Sequence, residues 1–77
     1  MGSLNLTQLK VKQQAEVLEI DGGQVLVQRL ESLGIRAGIQ ITKISSHFWR
    51  GPVTVLVGKT KIAIGYGMAK KIKVMVK

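Results

Sequence analysis

The chain has 77 residues, with twelve Lys and Arg against four Asp and Glu, a formal net charge of +8 and no cysteine. A chain of this size forms one domain and buries only about 60% of the surface that its unfolded form exposes, so we expect modest stability. The lack of cysteine excludes disulfides, thiolate metal ligands and a cysteine nucleophile. No apolar run approaches the roughly 20 residues of a transmembrane helix, so we expect no direct membrane insertion.

The first twenty residues predict a helical turn followed by a strand. Residues 1–5 carry no clear structural signal, and we expect them to be poorly ordered within a single domain that covers residues 1–77. The segment 6–9 reads as one helical turn, with Thr7 as its cap and Leu6 and Leu9 in the core. The stretch AEVLEI at 15–20 is rich in β-forming residues and predicts the first strand.

The segment 21–41 contains the one clear helix signal of the sequence. Its apolar residues recur at helical spacing and are Leu26, Leu30 and Leu33. Asp21 can accept hydrogen bonds from the free N–H groups at the start of this helix. Gly34 suits the left-handed position that closes a helix, and Ile35 can fold back onto the last turn. A helix of about ten residues is marginal alone in water, so it must pack on a sheet.

Four further strands are predicted after the helix. Residues 39–45 alternate imperfectly, and residues 53–57 and 60–64 alternate around a turn at 58–59, which predicts a hairpin. Residues 68–71 leave room for one helical turn. Residues 72–76 then show the cleanest apolar–polar alternation in the chain. Five short strands with one helix between the first and second predict a strongly bent sheet that closes into a small barrel.

Three stretches together resemble the FeoA family of small proteins of bacterial ferrous-iron uptake. They are LTQLKVKQQAEVLEI, the double glycine followed by QRLESLGIRAG, and GPVTVLVGKTKIAIGYGMAKKIKV, and they extend over residues 6–76. The most specific pieces are Arg29-Leu30, Leu33-Gly34-Ile35, Gly38, Gly51-Pro52 and the closing Ala69, Ile72 and Val74. Two positions depart from the family pattern. Lys12 stands where a glycine is common, and Ala37 stands where a proline often precedes the glycine of the turn.

The resemblance implies a mainly β fold, a small SH3-like five-stranded barrel with one short α-helix inserted between the first and second strands. It implies a cytoplasmic, non-enzymatic accessory protein of ferrous-iron transport. The implied partner is the membrane permease FeoB, whose cytosolic GTPase region the small protein assists, and no cofactor is implied. The same module also occurs as the C-terminal domain of metal-dependent repressors.

The predicted partner-binding residues are Arg29, Arg36, Phe48, Trp49 and Arg50. Two adjacent large aromatic residues cannot both easily bury in so small a core, and Trp and Arg are enriched among interface anchors. Each also has a structural interpretation. Phe48 or Trp49 could cap the open end of the barrel, and the arginines could be solvated, with Arg36 near the negative end of the helix dipole.

The residue types needed for metal binding or catalysis are scarce. His47 is the only histidine, and without cysteine or a neighbouring carboxylate it cannot complete a three- or four-ligand metal site. Asp21 is the only aspartate, so neither a nucleophile–base pair nor a two-carboxylate site can be drawn. We therefore predict no metal site, no catalytic residue and no enzyme. A metal site would need further ligands from Glu16, Glu19 or Asp21, or from a second copy of the chain.

The positive charge leaves two other functional classes open. Nucleic-acid binding through the lysines predicts an affinity that falls steeply with salt, but nine Lys against three Arg, scattered along the chain, is a weak pattern for phosphate recognition. A metalloregulatory SH3-like module predicts self-association or docking on a DNA-binding domain. An exposed aromatic pair and the edge strands of a small barrel would both favour a homodimer.

Overall fold

A bent, six-stranded antiparallel sheet forms the body of the protein in the computed structural model, which describes residues 4–46 and 50–77. Two helices and a one-turn 3-10 helix connect its strands. In chain order the elements are β1 (Leu4–Asn5), the 3-10 helix (Leu6–Gln8), β2 (Gln14–Ile20), α1 (Gln24–Ser32), β3 (Gln40–Ser46), β4 (Val53–Val57), β5 (Thr60–Ile64), α2 (Tyr66–Ala69) and β6 (Ile72–Val76). The strand order across the sheet is β1-β6-β2-β3-β4-β5.

The sheet curls around a single apolar core, and the predicted mainly β, SH3-like architecture is confirmed. The Cα extents are nearly equal, 28 × 26 × 26 Å, and inward residues of five strands, the 3-10 helix and both α-helices share one cluster. The observed sheet has one strand more than predicted, because Leu4 and Asn5 pair with Val74 and Lys73 of β6. Within the described residues no ladder joins the outer strands β1 and β5. The 3-10 helix instead lies against α2 near that opening.

The hairpin and the last strand form where the alternation predicts them. In the β4–β5 ladder Val53 pairs with Ile64 and Val57 with Thr60. The inward positions are buried, as expected for a sheet with one face on the core; they are Val53, Val55, Ile62, Ile64, Ile72 and Val74. The helical turn predicted at 68–71 is present but begins earlier, at Tyr66.

The first helical turn has a different cap from the predicted Thr7. Asn5 occupies the N-cap, its side chain accepts from the Thr7 backbone N–H, and the Gln8 side chain accepts from the Asn5 backbone N–H at 2.9 Å. This is a capping box, in which two otherwise unpaired N–H groups are satisfied reciprocally. The prediction that Leu6 and Leu9 are buried is confirmed.

A buried lysine joins this turn to the sheet. Lys43 of β3 is only 3% exposed, and its Nζ donates to the backbone carbonyls of Leu9 at 2.7 Å and Thr7 at 3.1 Å. Desolvation by burial lowers the pKa of Lys43 from its ordinary value of 10.5. The sequence reasoning missed this residue, although it continues the inward alternation of Ile39 and Ile41.

The backbone before β2 is left-handed at a non-glycine residue. Lys12 has φ 75°, and its N–H donates to the Lys43 carbonyl at 2.6 Å. Because a Cβ makes this conformation costly, the position suits glycine. The departure of Lys12 from the FeoA pattern thus leaves the turn intact and adds local strain.

Candidate partner-binding site

Helix α1 begins without the predicted side-chain cap and ends as predicted. Its N-cap is Gly23, with no side-chain cap hydrogen bond, so the expected role for Asp21 is wrong. At the other end the N–H of Gly34 donates to the Glu31 carbonyl and the N–H of Ile35 donates to the Leu30 carbonyl, both at 2.9 Å. Gly34 has φ 93°, which completes a Schellman motif.

The same motif decides which apolar residues of α1 enter the core. Leu30 is fully buried, Leu26 packs partly against the core, and Ile35 is 1% exposed beyond the helix end. Leu33, which the periodicity placed in the core, is instead 44% exposed. The chain leaves the helix at the left-handed Gly34, and Ile35, the next residue, is buried in the core.

An exposed ridge therefore runs along α1, which we define as Val25, Arg29 and Leu33. These residues follow one another at intervals of four, so their side chains lie on one line of the helix. Val25 is 76% exposed and Leu33 is 44% exposed, and Arg29 between them is exposed. The ridge presents two aliphatic side chains and a cation to its surroundings.

Arg36 lies in the tight turn that leads from α1 to β3. The N–H of Ile39 donates to the Arg36 carbonyl at 3.2 Å, and Gly38 has φ 93°. A positive φ at the third residue alone is typical of a type II turn, whose second residue is Ala37 here. Arg36 is exposed in the segment that follows the Leu33 end of the ridge.

Arg50 lies beside Tyr66, whereas Arg29 belongs to α1 and Arg36 to the turn after it. Arg50 precedes β4 with φ 63°, and its guanidinium lies 6.0 Å from the centre of the Tyr66 ring. The Nζ of Lys70 lies 5.8 Å from the same ring. Tyr66 thus has two cations within the distance of cation–π attraction.

The structure divides the predicted surface into two groups. Arg29 and Arg36 precede β3, whereas Arg50 follows it, and the six residue steps of a straight strand cover about 20 Å. The predicted Phe48 and Trp49, together with His47, lie outside the described residues. Arg29 and Arg36 belong to the same segment as the exposed apolar residues Val25 and Leu33. Helical periodicity predicted Leu33 in the core, and it predicted no role for Val25.

A shallow depression on the outer face of the sheet is a third surface feature. Its lining is uncharged and consists of Gln14, Gln40, Thr42, Leu56 and Gly58. The Gln40 Nε2 donates to the Gln14 Oε1 at 3.3 Å, so the two amides already satisfy each other in part. The depression offers amide and hydroxyl groups to a ligand but no ionisable group.

Metal-ligating side chains do not cluster in the part of the chain that the structure describes. Across residues 4–46 and 50–77, no three His, Cys, Asp or Glu residues lie close enough together to hold an ion. Over the same ranges no helix is long and apolar enough to cross a membrane.

Comparison with known proteins places this architecture in a family. A model of the FeoA domain matches residues 4–76, which is nearly the whole chain. The chain belongs to the FeoA family. A putative Fe(2+) transport protein A from Methanocaldococcus jannaschii is 41% identical over 58 residues, which are 75% of this chain and 68% of that protein.

Solved structures agree with the FeoA assignment and show the same fold in a second class of protein. The crystal structure of an iron uptake regulatory protein, FeoA, is 28% identical, superposes with a TM-score of 0.89, and each chain covers 100% of the other. A manganese-dependent transcriptional repressor in complex with manganese also superposes with a TM-score of 0.89, at 16% identity. There the match covers 100% of this chain but 38% of the repressor, so it shows a shared fold alone.

Proposed function

We propose that this FeoA protein is a cytoplasmic, non-enzymatic accessory of ferrous-iron uptake that binds the GTPase region of the FeoB permease. Membership of the family over residues 4–76 and the similarity to proteins named for iron transport and iron uptake support this function. The observation that carries the binding role is the ridge on α1. Val25, in the first turn of α1, is 76% exposed, so this aliphatic side chain contributes little to the core of the domain.

The ridge has the composition of a small protein interface. Interfaces are enriched in Arg, and their fully buried centre is more apolar than the rest of a protein surface. Val25 and Leu33 would supply the apolar contact, and Arg29 would pair with a carboxylate of the partner. Arg36 would extend the same contact toward the turn.

An accessory without chemistry of its own can act on a GTPase only by unequal binding. A protein with equal affinity for the GDP-bound and GTP-bound states shifts neither population, however tightly it binds. We therefore infer that the affinity for FeoB depends on the bound nucleotide.

The test is a titration of the ¹⁵N-labelled protein with the cytosolic region of the cognate FeoB, loaded in turn with GDP and with a GTP analogue. We expect saturable amide shifts along α1 and in the turn at 36–39, with different affinities for the two states. Absence of saturable shifts with either state would overturn the proposed function.

A pair of triple-alanine variants of α1 tests the proposed surface separately from the proposed function. The variant Val25→Ala/Arg29→Ala/Leu33→Ala removes the ridge, and Gln24→Ala/Gln28→Ala/Glu31→Ala removes three exposed residues of the same helix outside the ridge. Alanine is a strong helix former, so both variants should keep α1. Loss of one central Arg anchor commonly costs about 2 kcal/mol or more, so we expect the ridge variant to bind at least about 30-fold more weakly. Equal binding by both variants would leave the function standing and remove the ridge from it.

A further inference from the structure

The acidic residues of the protein are confined to one segment of the chain. All four acidic residues lie between positions 16 and 31, whereas residues 32–77 contain nine Lys and Arg and no acidic residue. In the structure the acids belong to β2, the loop after it and α1. Of the elements without an acid, β3, β5 and β6 each carry one lysine, and the other cations after α1 lie in the turns and loops.

A row of these cations follows the outer strand β5, and we define Lys59, Lys61, Arg50, Lys70 and Tyr66 as the basic strip. Lys61 points away from the core because its neighbours Ile62 and Ile64 point inward, and it is exposed, as are the other three cations. Lys59 lies in the turn at the start of β5. Arg50 and Lys70 lie near its far end, each about 6 Å from the centre of the Tyr66 ring.

No acid on the neighbouring elements offsets these charges. β5 pairs with β4, and α2 lies against the 3-10 helix; none of these four elements contains Asp or Glu. The region of the acids differs, since the Lys73 Nζ on β6 lies 3.7 Å from a Glu19 carboxylate oxygen on β2. The strip is thus a local concentration of positive charge on a protein that is already cationic.

We propose that the basic strip docks this protein on an anionic membrane surface. This inference does not depend on FeoB binding, because it rests on residues other than Val25, Arg29, Leu33 and Arg36. Lys61 lies on β5, whose five residues span about 17 Å, and the other three cations lie beyond its two ends. Because Lys and Arg side chains are long and flexible, the proposed docking brings all four within about one Debye length, roughly 10 Å, of charged headgroups.

The composition of the strip favours a membrane over nucleic acid. Three of its four cations are lysines, which act as compact point charges on flexible stems, whereas phosphate recognition in nucleic acids favours the bidentate arginine fork. A single-strand platform uses several aromatic residues to stack successive bases, and the strip contributes Tyr66 alone. Tyrosine is instead enriched at the headgroup level of a bilayer, where its ring contacts apolar groups and its hydroxyl stays hydrogen-bonded.

The test uses flotation of the full chain with lipid vesicles at low and at physiological salt. One vesicle type contains phosphatidylcholine alone, and the other also contains phosphatidylglycerol. We expect binding only to the anionic vesicles, weakening as salt rises. Each Lys or Arg close to such a surface contributes about fivefold in partitioning, so Lys59→Gln/Lys61→Gln/Lys70→Gln should bind about 100-fold more weakly.

A matched variant separates the strip from net charge. Lys10→Gln/Lys12→Gln/Lys77→Gln removes the same number of charges from exposed positions outside the basic strip and outside the proposed FeoB surface, so it should retain most of the binding. An equal loss in both variants would assign the attraction to net charge and overturn the strip. Failure of the wild type to bind anionic vesicles at physiological salt would also overturn the proposal. Tighter binding to a DNA oligonucleotide under the same conditions would assign the strip to nucleic acid.

A second measurement needs no variant. Amide shifts of the labelled wild-type protein on addition of phosphatidylglycerol-containing nanodiscs should concentrate at residue 50 and residues 59–70. Shifts concentrated elsewhere in the chain would contradict the assignment.

Discussion

Replacing Lys43 by Met gives the sharpest test of how this small domain is held together. The substitution keeps a flexible apolar stem and removes only the ammonium group. In the wild type that group donates to the carbonyls of Thr7 and Leu9, at 3.1 and 2.7 Å, and so ties the 3-10 helix to β3. After the substitution, neither carbonyl keeps this donor.

The expected loss follows from the burial of the two acceptors. A buried acceptor without a partner costs about 1–3 kcal/mol, which applies in full to the Leu9 carbonyl and less to the part-buried Thr7 carbonyl, because water can reach it. The substitution also removes the free-energy cost of burying the charged ammonium group, and this offsets part of the loss. We expect the free energy of unfolding to fall by about 2 kcal/mol, which for a domain of this size lowers the melting temperature by about 8–16 °C.

Urea denaturation at neutral pH measures this loss, and Lys61→Met provides the matched control. Lys61 also lies on a strand but is exposed, so its substitution should change the free energy of unfolding by less than about 0.5 kcal/mol. If Lys43→Met unfolds at the same urea concentration as Lys61→Met, the two carbonyls do not depend on Lys43, and the reasoning is refuted.

The pH dependence of the same pair of proteins checks the sign of the burial effect. Burial lowers the pKa of Lys43 below 10.5, so between the folded pKa and 10.5 the unfolded chain holds the proton more tightly than the folded chain. Stability rises with pH wherever the unfolded state binds more protons. The wild type should therefore gain stability relative to Lys43→Met as the pH rises through that window and level off above it. A difference that stays flat up to about pH 11 would contradict a desolvated Lys43.

Three backbone predictions share the same urea assay. Lys12→Gly should raise the free energy of unfolding by about 0.5–1 kcal/mol, because it relieves a left-handed residue, and Lys10→Gly should not. Ala37→Pro should add about 0.4–1 kcal/mol, since proline suits the second position of a type II turn; destabilisation would show that the turn is of another type. Gly34→Ala should cost about 1–2 kcal/mol at φ 93°, whereas Gly67→Ala, inside α2 with open space at its Cβ, should add about 0.5–1 kcal/mol. The opposite order of the two glycine variants would contradict the assigned conformations.

The strands were predictable because alternation reports directly on the two faces of a sheet. The residues 53–57, 60–64 and 72–76 appear as β4, β5 and β6 with the predicted bounds. β1 escaped prediction because two residues carry no periodicity, and their pairing with β6 is decided by tertiary contact. The resemblance to the FeoA family supplied the SH3-like architecture, which alternation alone does not specify.

The helix caps show where local rules compete. Thr7 and Asp21 are both acceptable cap residues, yet Asn5 and Gly23 occupy the N-caps. The Asn5 cap was readable from the sequence, because Gln8 stands three residues later as a capping box requires. The Gly23 cap was not, since nothing in the sequence fixes the residue at which β2 yields to α1.

The candidate binding surface was the least predictable part, for a physical reason. Helical periodicity identifies an apolar stripe but does not say where the stripe ends, so Leu33 resembled a core residue like Leu30. Its exposure follows from the Schellman turn, which brings Ile35 into the core in its place. The exposure of Val25 likewise depends on how α1 sits on the sheet. A binding surface made of apolar residues outside the core can be identified only when the packing of the core is known. The absence of acidic residues after position 31, on which the basic strip depends, can by contrast be read directly from the sequence.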